Sequence, residues 1–143
     1  MAARPATIRE NGRAKAYRPL PEAGRRAALA AALAAYERGD FFLAHELLEP
    51  AWMGASDPAE RALHSGLIKV AAGFVHAVRG NPAGVIKNLE GARVRLEDGR
   101  AAGPAYAIDV AAVLAQVEAS LAAVRLGEPP PPVAIRRLEA GAP

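Results

Sequence analysis

Apolar residues recur at every third or fourth position along most of this chain, which is the spacing of one face of an α-helix. In the first such segment, from Pro21 to Arg38, Leu29, Leu33 and Tyr36 follow this spacing. Four further segments of the same character are predicted as helices: residues 41–53, 57–79, 82–98 and 109–124. No segment shows the strict alternation that is typical of a β-strand. The pattern predicts an all-α fold, a single-domain multihelical bundle of two αα-hairpins plus a fifth helix.

The connections between the helices repeat one chemical pattern. Gly39 and Asp40 separate the first two helices, and Gly80 and Asn81 separate the third and the fourth. Glycine suits the left-handed residue that ends a helix, and aspartate or asparagine suits the cap that begins the next one. The repeated pattern predicts two helical hairpins of similar construction.

The third predicted helix is apolar on almost every side, which marks it as the central helix of the bundle. It starts with Asp57, Pro58 and Glu60, the pattern of an N-cap, a first-turn proline and a capping box. One line of polar and small residues, about one helical turn apart, interrupts this apolar surface. We call it the polar seam: Ser65, Lys69, Ala72 and His76. Two glycines beside this seam, Gly66 and Gly73, are expected to let another helix approach closely.

Candidate chemistry lies where the second and third helices meet. His45 and Glu49 of the second helix share one flank, one turn apart. Lys69 and His76 of the central helix need polar partners, because an unpaired charge in the interior is costly. We therefore predict a polar contact of Glu49 with Lys69 or His76. His64 lies on an apolar wall of the central helix and is interpreted as a structural histidine.

Three functional interpretations compete with a purely structural polar network at this cluster. His45, Glu49 and His76 could ligate a metal ion, although the helix lacks the second histidine of an HExxH zinc site and Lys69 would repel a cation. Glu49 and His76 could act as an acid–base pair, although no nucleophile motif or phosphate loop accompanies them. The apolar end of the second helix could line a groove for a peptide or a partner helix, or simply pack in the core: Phe41, Phe42, Trp52 and Met53.

Composition narrows the class of protein. The 143 residues are 52% hydrophobic, but 36 of them are alanine, so the core must be built from few large side chains. A chain of this length usually forms one domain. The absence of cysteine excludes disulfides, thiolate metal sites and cysteine nucleophiles. The apolar runs fall short of a bilayer span and the N-terminal residues lack an apolar signal core, so we expect a cytoplasmic protein without membrane contact.

The net charge of +3 is concentrated near the N-terminus. Residues 1–26 carry seven basic side chains against two acidic ones, whereas residues 27–127 carry nine against eleven. The distribution predicts a basic, partly disordered N-terminal arm over residues 1–20, a helical domain over 21–127 and a Pro-rich C-terminal tail over 128–143. The arm has a single aromatic residue, Tyr17, and no groove-reading motif, so we do not expect nucleic acid as a partner.

Two strings of the sequence resemble a known family. GDFFLAHELLEPAW is followed by GLIKVAAGFVHAVRGNPAGVIKNLEGARVRL. Together they are similar to the domain-of-unknown-function family numbered 309, a group of small all-helical proteins, over residues 36–97, and residues 109–124 resemble its last helix. The resemblance implies a multihelical fold and no established activity. The family pattern is matched at these positions: His45, Glu46, Glu49, Trp52, Gly66, His76, Gly80 and Asn81.

The sequence departs from the family pattern at three places. Ser65 and Lys69 stand where glutamine is usual, and Pro50 stands where an acidic residue is common. A charge in place of a neutral amide argues against a strict catalytic site. It fits a polar network that tolerates replacement, or a pocket whose ligand differs among members.

Taken together, these features predict a binding or scaffolding module with a buried His/Glu/Lys polar cluster and no cofactor. Its partner would be an unknown protein or a small molecule, and exposed apolar helix faces would allow a homo-oligomer. The alternative is a metal-binding or acid-base enzyme centred on His45, Glu49 and His76. The candidate pocket comprises these residues: His45, Glu46, Glu49, Trp52, Lys69, His76 and Asn81.

Overall fold

The structure, a computed structural model, describes residues 7–10 and 13–138, with side chains described for residues 17–138. Five α-helices make up the domain: α1 (Glu22–Glu37), α2 (Phe41–Gly54), α3 (Pro58–Val78), α4 (Pro82–Asp98) and α5 (Val110–Arg125). Two short 3-10 helices, Arg100–Ala102 and Pro104–Tyr106, occupy the connection before α5 that the sequence predicted as a loop. The predicted all-α bundle of two hairpins and a fifth helix is confirmed.

The predicted hinges and caps set the helix boundaries. Gly39 and Gly80 have positive φ angles of 86° and 68°, so each ends its helix in the left-handed conformation that favours glycine. Asp40 then accepts a hydrogen bond from the Leu43 backbone N–H at 3.2 Å, and Asn81 accepts one from Gly84 in the same way. Both hinges therefore turn the chain back into a new helix by one mechanism.

The central position of α3 is confirmed by its burial. Leu63, Leu67 and Val70 are completely buried, and α3 packs against α2 on one side and α4 on the other. The predicted glycines allow the closest approach: a Cβ on Gly66 would lie 2.7 Å from the Leu96 side chain of α4. The core therefore lies around α3, where the two hairpins meet.

The prediction that the chain contains no strand was wrong near the N-terminus. Strands β1 (Thr7–Glu10) and β2 (Arg13–Ala16) form an antiparallel pair in which Thr7 is opposite Ala16 and Glu10 is opposite Arg13. Asn11-Gly12, between them in the sequence, is a strong signal for a two-residue hairpin connection. The strand prediction failed because the basic composition of residues 1–20 favoured a disordered arm over a hairpin. Residues 1–6, 11 and 12 of the predicted arm lie outside the described residues.

The described part of the predicted C-terminal tail packs against the domain. Val133 is 2% exposed and belongs to the core, and its carbonyl accepts a hydrogen bond from the Tyr36 hydroxyl at 2.5 Å. The Gln116 side chain of α5 donates to the Ala134 carbonyl and accepts from the Ala134 N–H, each at 2.8 Å. These contacts hold residues 128–138 along α5.

No helix in the described part of the chain is both long and apolar enough to cross a membrane. The cytoplasmic location stays a prediction.

Candidate functional site

The candidate cluster begins on α2, where His45 lies between two glutamates of its own helix. His45 Nε2 is 3.2 Å from Glu49 Oε1, and His45 Nδ1 is 3.3 Å from Glu46 Oε1. The spacing of His45 and Glu49 brings the first pair together across one helical turn, as the sequence predicted. Glu49 is 4% exposed, Glu46 lies at the surface, and the Phe42 ring stacks on the imidazole. Glu49 and the Phe42 ring therefore orient the imidazole, whereas His45 Nδ1 is buried and has no hydrogen-bond partner among the described residues.

Three side chains of this cluster can offer ligand atoms to one metal ion. A nitrogen of His45 and one carboxylate oxygen each from Glu46 and Glu49 lie within 4.8 Å of one another. Histidine nitrogen and carboxylate oxygen are suitable ligands for Zn²⁺ or Mn²⁺. Because each ring nitrogen faces a different carboxylate, a bound ion would replace one of the two His–Glu contacts. His76, which the sequence offered as the third ligand, is not one of these three residues.

The polar seam of α3 meets α4. A Cβ placed on Gly91 of α4 would lie 2.9 Å from Lys69 Cδ, and Gly84 packs against the His76 ring in the same manner. The Lys69 stem and the His76 ring thus fill the space that two glycines leave open. The predicted contact of Glu49 with Lys69 or His76 stays a prediction.

Asn81 connects the second hinge to this seam. Its Oδ1 caps α4 by accepting from the Gly84 N–H at 3.2 Å, and its Nδ2 donates to His76 Nδ1 at 3.1 Å. An amide NH₂ group can only donate, so His76 Nδ1 is the unprotonated nitrogen in this contact. Two predicted site residues, His76 and Asn81, therefore form one hydrogen-bonded pair at the α3–α4 hinge.

The helices α2 and α3 run antiparallel and side by side. At one end, the Phe41 and Phe74 ring centroids are 5.6 Å apart. At the other end, the Arg61 guanidinium carbon lies 4.3 Å from the centroid of the Trp52 ring. Residues between these two contacts can therefore be placed level with one another by the helical rise.

This placement puts His45 level with Lys69, and Glu49 level with Ser65. Contacts of Lys69 with Gly91 and of His76 with Gly84 place α4 on the other side of the seam. We call the half-buried face of α3 that carries Ser65, Lys69, Ala72 and His76 the α3 groove. The residues beside it are His45, Glu49 and Trp52 on α2 and Gly84, Asn88, Gly91 and Arg95 on α4, of which Glu49 is buried.

One end of the α3 groove widens into an open cavity of about 590 Å³. Trp52, Arg61, Ser65, Arg95 and Asp98 are among the residues that line it. The Arg61 guanidinium stacks on the Trp52 ring, which holds its plane in place while its edge stays exposed. The cavity therefore combines an aromatic surface with charged groups of both signs.

Of the four apolar residues predicted to form a groove, Trp52 lies at this cavity. Met53 is buried and Phe41 packs against Phe74 as part of the core. Phe42 is exposed beside His45. The four residues face different surroundings because they lie on different sides of α2.

A second polar cluster, which the sequence did not predict, connects α1 to α3. Arg25 Nε lies 2.5 Å from Glu60 Oε2, and Arg25 Nη2 lies 3.3 Å from Glu60 Oε1, so the pair is bidentate. His64 is completely buried, and its Nε2 is 3.0 Å from Glu60 Oε2. The Tyr106 ring packs edge-on against the imidazole with centroids 5.3 Å apart. We call these four residues the Arg25–Glu60 network.

The predicted capping box at the start of α3 is half right. Asp57 accepts a hydrogen bond from the Glu60 backbone N–H at 2.9 Å, as an N-cap should. The Glu60 side chain, however, binds Arg25 and His64. The one local signal for this was the i, i+4 spacing of Glu60 and His64, while Arg25 is far away in the sequence.

Burial and charge fix the protonation states of the Arg25–Glu60 network. Burial lowers the pKa of His64, and the hydrogen bond to Glu60 offsets only part of that effect. Burial by itself would raise the pKa of Glu60, but Arg25, Tyr106 and His64 together hold it below its ordinary value. Glu60 is therefore a carboxylate, and His64 is a neutral imidazole whose Nε2–H donates to it.

Comparison with known proteins gives one positive finding. Residues 29–88 match the model of a family described as a domain of unknown function (DUF309), which confirms the resemblance seen in the two sequence strings. The matched segment starts within α1 and ends within α4, so it holds every predicted site residue, whereas α5 lies outside it. No curated protein matches the chain.

Proposed function

We propose, from the match of residues 29–88 to the DUF309 family model, that this protein is a binding module and that the α3 groove is its ligand site. Its ligand would be a short extended segment of a partner protein. The observation that supports this most is the position of the groove, because the predicted site residues of α2 and α3 lie along it and it opens into the cavity at Trp52.

The dimensions of the α3 groove suit an extended peptide. From Arg61 to His76 the groove floor is about 22 Å long at the helical rise, enough for roughly six extended residues. Ser65 and Ala72 keep the floor low between the longer side chains. Lys69 and Arg95 offer hydrogen-bond donors to the backbone of such a segment.

The contacts of the two histidines favour binding over proton transfer. Glutamates face both ring nitrogens of His45, and Asn81 donates to His76 Nδ1. A general acid or base must instead direct a ring nitrogen at the reacting atom of its substrate. These imidazoles serve better as fixed parts of a binding surface.

Selection from a random octapeptide library displayed on phage tests this proposal. The parent chain is expected to enrich peptides whose affinity falls by about tenfold or more in Lys69→Glu, because this change reverses a charge at the middle of the groove. The affinity of the enriched peptides, made synthetically, is measured by fluorescence polarisation.

Lys87→Glu is the matched control, since Lys87 is an exposed lysine of α4 that does not line the cavity. It makes the same change in net charge and is expected to leave the affinity within about twofold. Circular dichroism of both variants establishes that they are folded. Failure to enrich any peptide, or equal binding by Lys69→Glu and Lys87→Glu, would reject the groove as the ligand site.

A second candidate function is metal binding by His45, Glu46 and Glu49, which is favoured by the close approach of their ligand atoms. Calorimetric titration of the apo protein with Zn²⁺ and with Mn²⁺ should then give one binding site, which His45→Ala weakens by about tenfold or more. His76→Ala serves as control, because His76 lies at the α3–α4 hinge, and it should retain the binding. Binding that is equal in the two variants, or absent from the parent, excludes this cluster.

A further inference from the structure

The cavity at the Trp52 end of the α3 groove is lined by two arginines and by one carboxylate, that of Asp98. Arg61 and Arg95 both line it, and within residues 17–138 neither has a carboxylate in an ion pair. Five other arginines of the described domain form ion pairs, among them Arg93 with Glu118 and Arg100 with Glu97, whereas Arg38 and Arg79 form none.

The position of Arg61 suits a side chain that binds a ligand. Its guanidinium carbon stacks 4.3 Å from the Trp52 ring centroid, and its Nη1 donates to the Ala55 carbonyl at 3.5 Å. A guanidinium has five N–H donors, so this bond leaves most of them available. Stacking on the ring also limits the conformational freedom that Arg61 would lose when a ligand binds.

The charges of the cavity indicate how much negative charge it accepts. Arg61 and Arg95 supply two positive charges, and Asp98 supplies one negative charge on the same lining. The net charge of the cavity lining is therefore +1, which a singly charged carboxylate balances. A phosphate dianion would carry more charge than the cavity neutralises and would be repelled more strongly by Asp98.

We infer that the cavity at Trp52, Arg61 and Arg95 binds a carboxylate group, and specifically the free C-terminal carboxylate of the peptide that lies in the α3 groove. The guanidinium groups recognise it by charge-assisted hydrogen bonds, in the planar geometry that a carboxylate matches. This inference rests on the proposed function, since it names the part of the peptide that the groove anchors. The peptide would run from this end toward the His76 end.

The fluorescence of Trp52 provides a direct readout, because it is the single tryptophan of the chain and lies under Arg61. The full chain is titrated at constant ionic strength with N-acetylglycine, which mimics a peptide C-terminus, and with its neutral amide. A saturable change with the acid and none with the amide is expected. Arg95→Gln should weaken binding of the acid by about tenfold. Arg100→Gln should not, since Arg100 pairs with Glu97 outside the cavity.

Equal responses to acid and amide, or an unchanged affinity in Arg95→Gln, would overturn the inference. A titration with inorganic phosphate separates the two anions: binding tighter than that of N-acetylglycine would show a phosphate site and also overturn it. The enriched octapeptides distinguish this failure from failure of the proposed function. If they bind equally well with free and amidated C-termini, the groove remains the ligand site and the carboxylate site is rejected. If no peptide binds, both proposals are rejected.

Discussion

The free energy of unfolding of the Glu60→Ala variant is expected to be about 3 kcal/mol lower than that of the parent chain. The Glu60 carboxylate is the common acceptor for Arg25 and His64. Its removal leaves both groups without this acceptor at largely buried positions. Arg25 then keeps a charge without its counter-ion, which is the costly half of breaking a buried pair. Urea unfolding followed by circular dichroism measures the loss.

Glu97→Ala is the matched control, because it removes a glutamate from an exposed pair. Glu97 and Arg100 are each about half exposed, so solvent screens their attraction and the expected change is about 0.5 kcal/mol or less. Losses of similar size in the two variants would mean that Glu60 makes no more than a surface contact. A variant of Glu60 that aggregates can be replaced by Glu60→Gln, which keeps the shape and loses the charge.

The pH dependence of stability tests the same network without removing Glu60. Folding lowers the pKa of His64 from 6.5, so below about pH 6.5 the unfolded chain gains a proton that the folded chain does not. The free energy of unfolding therefore falls with decreasing pH, by up to about 1.4 kcal/mol per pH unit from this group. Below about pH 4.5 the lowered pKa of Glu60 adds to the fall. His64→Gln should flatten the slope between pH 6.5 and 5, and an unchanged slope would contradict the burial of a neutral His64.

Local sequence signals predicted the fold because each helix boundary depends on residues next to it. Asp40, Asp57 and Asn81 cap the helices that the sequence assigned to them, through backbone donors three residues ahead. Asp109 caps α5 in the same way. The pairing of His45 with Glu49 was predictable for the same reason, since one helical turn separates them. Such contacts need no knowledge of which helices become neighbours.

The contacts that the sequence did not predict connect residues on different helices. Periodicity identified the seam of Lys69 and His76, but a helical face does not specify the neighbour that covers it. Glycines of α4 meet these two side chains, whereas the partner predicted from the sequence, Glu49, lies on α2. Arg25 and Glu60 are separated by the whole of α2, so their bidentate pair depends on the tertiary fold that brings the first turns of α1 and α3 together. The candidate groove likewise appears only once α2, α3 and α4 are placed together.

Gly66→Ala is expected to lower the free energy of unfolding by about 2 kcal/mol, although alanine is the better helix former. A Cβ at this position would lie 2.7 Å from Leu96 Cγ and Cδ2 and 3.1 Å from the Leu96 backbone nitrogen. Leu96 is completely buried in the core, so its side chain has no free space to move into. The extra methyl must therefore push α4 away from α3 and loosen the contacts of both helices. Urea unfolding of the variant measures the loss.

Gly91→Ala is the control that separates this steric effect from helix propensity. Gly91 also lies at the α3–α4 contact, but its Cβ would meet the Lys69 side chain, 2.9 Å from Cδ and farther from Cε and Nζ. Lys69 is half-buried and flexible enough to move aside, so the gain in helix propensity should dominate. The expected change is between zero and about 1 kcal/mol of stabilisation. If both glycine variants shift stability in the same direction, the close approach at Gly66 does not hold α3 and α4 together. Helix propensity alone would then explain the effects of both substitutions.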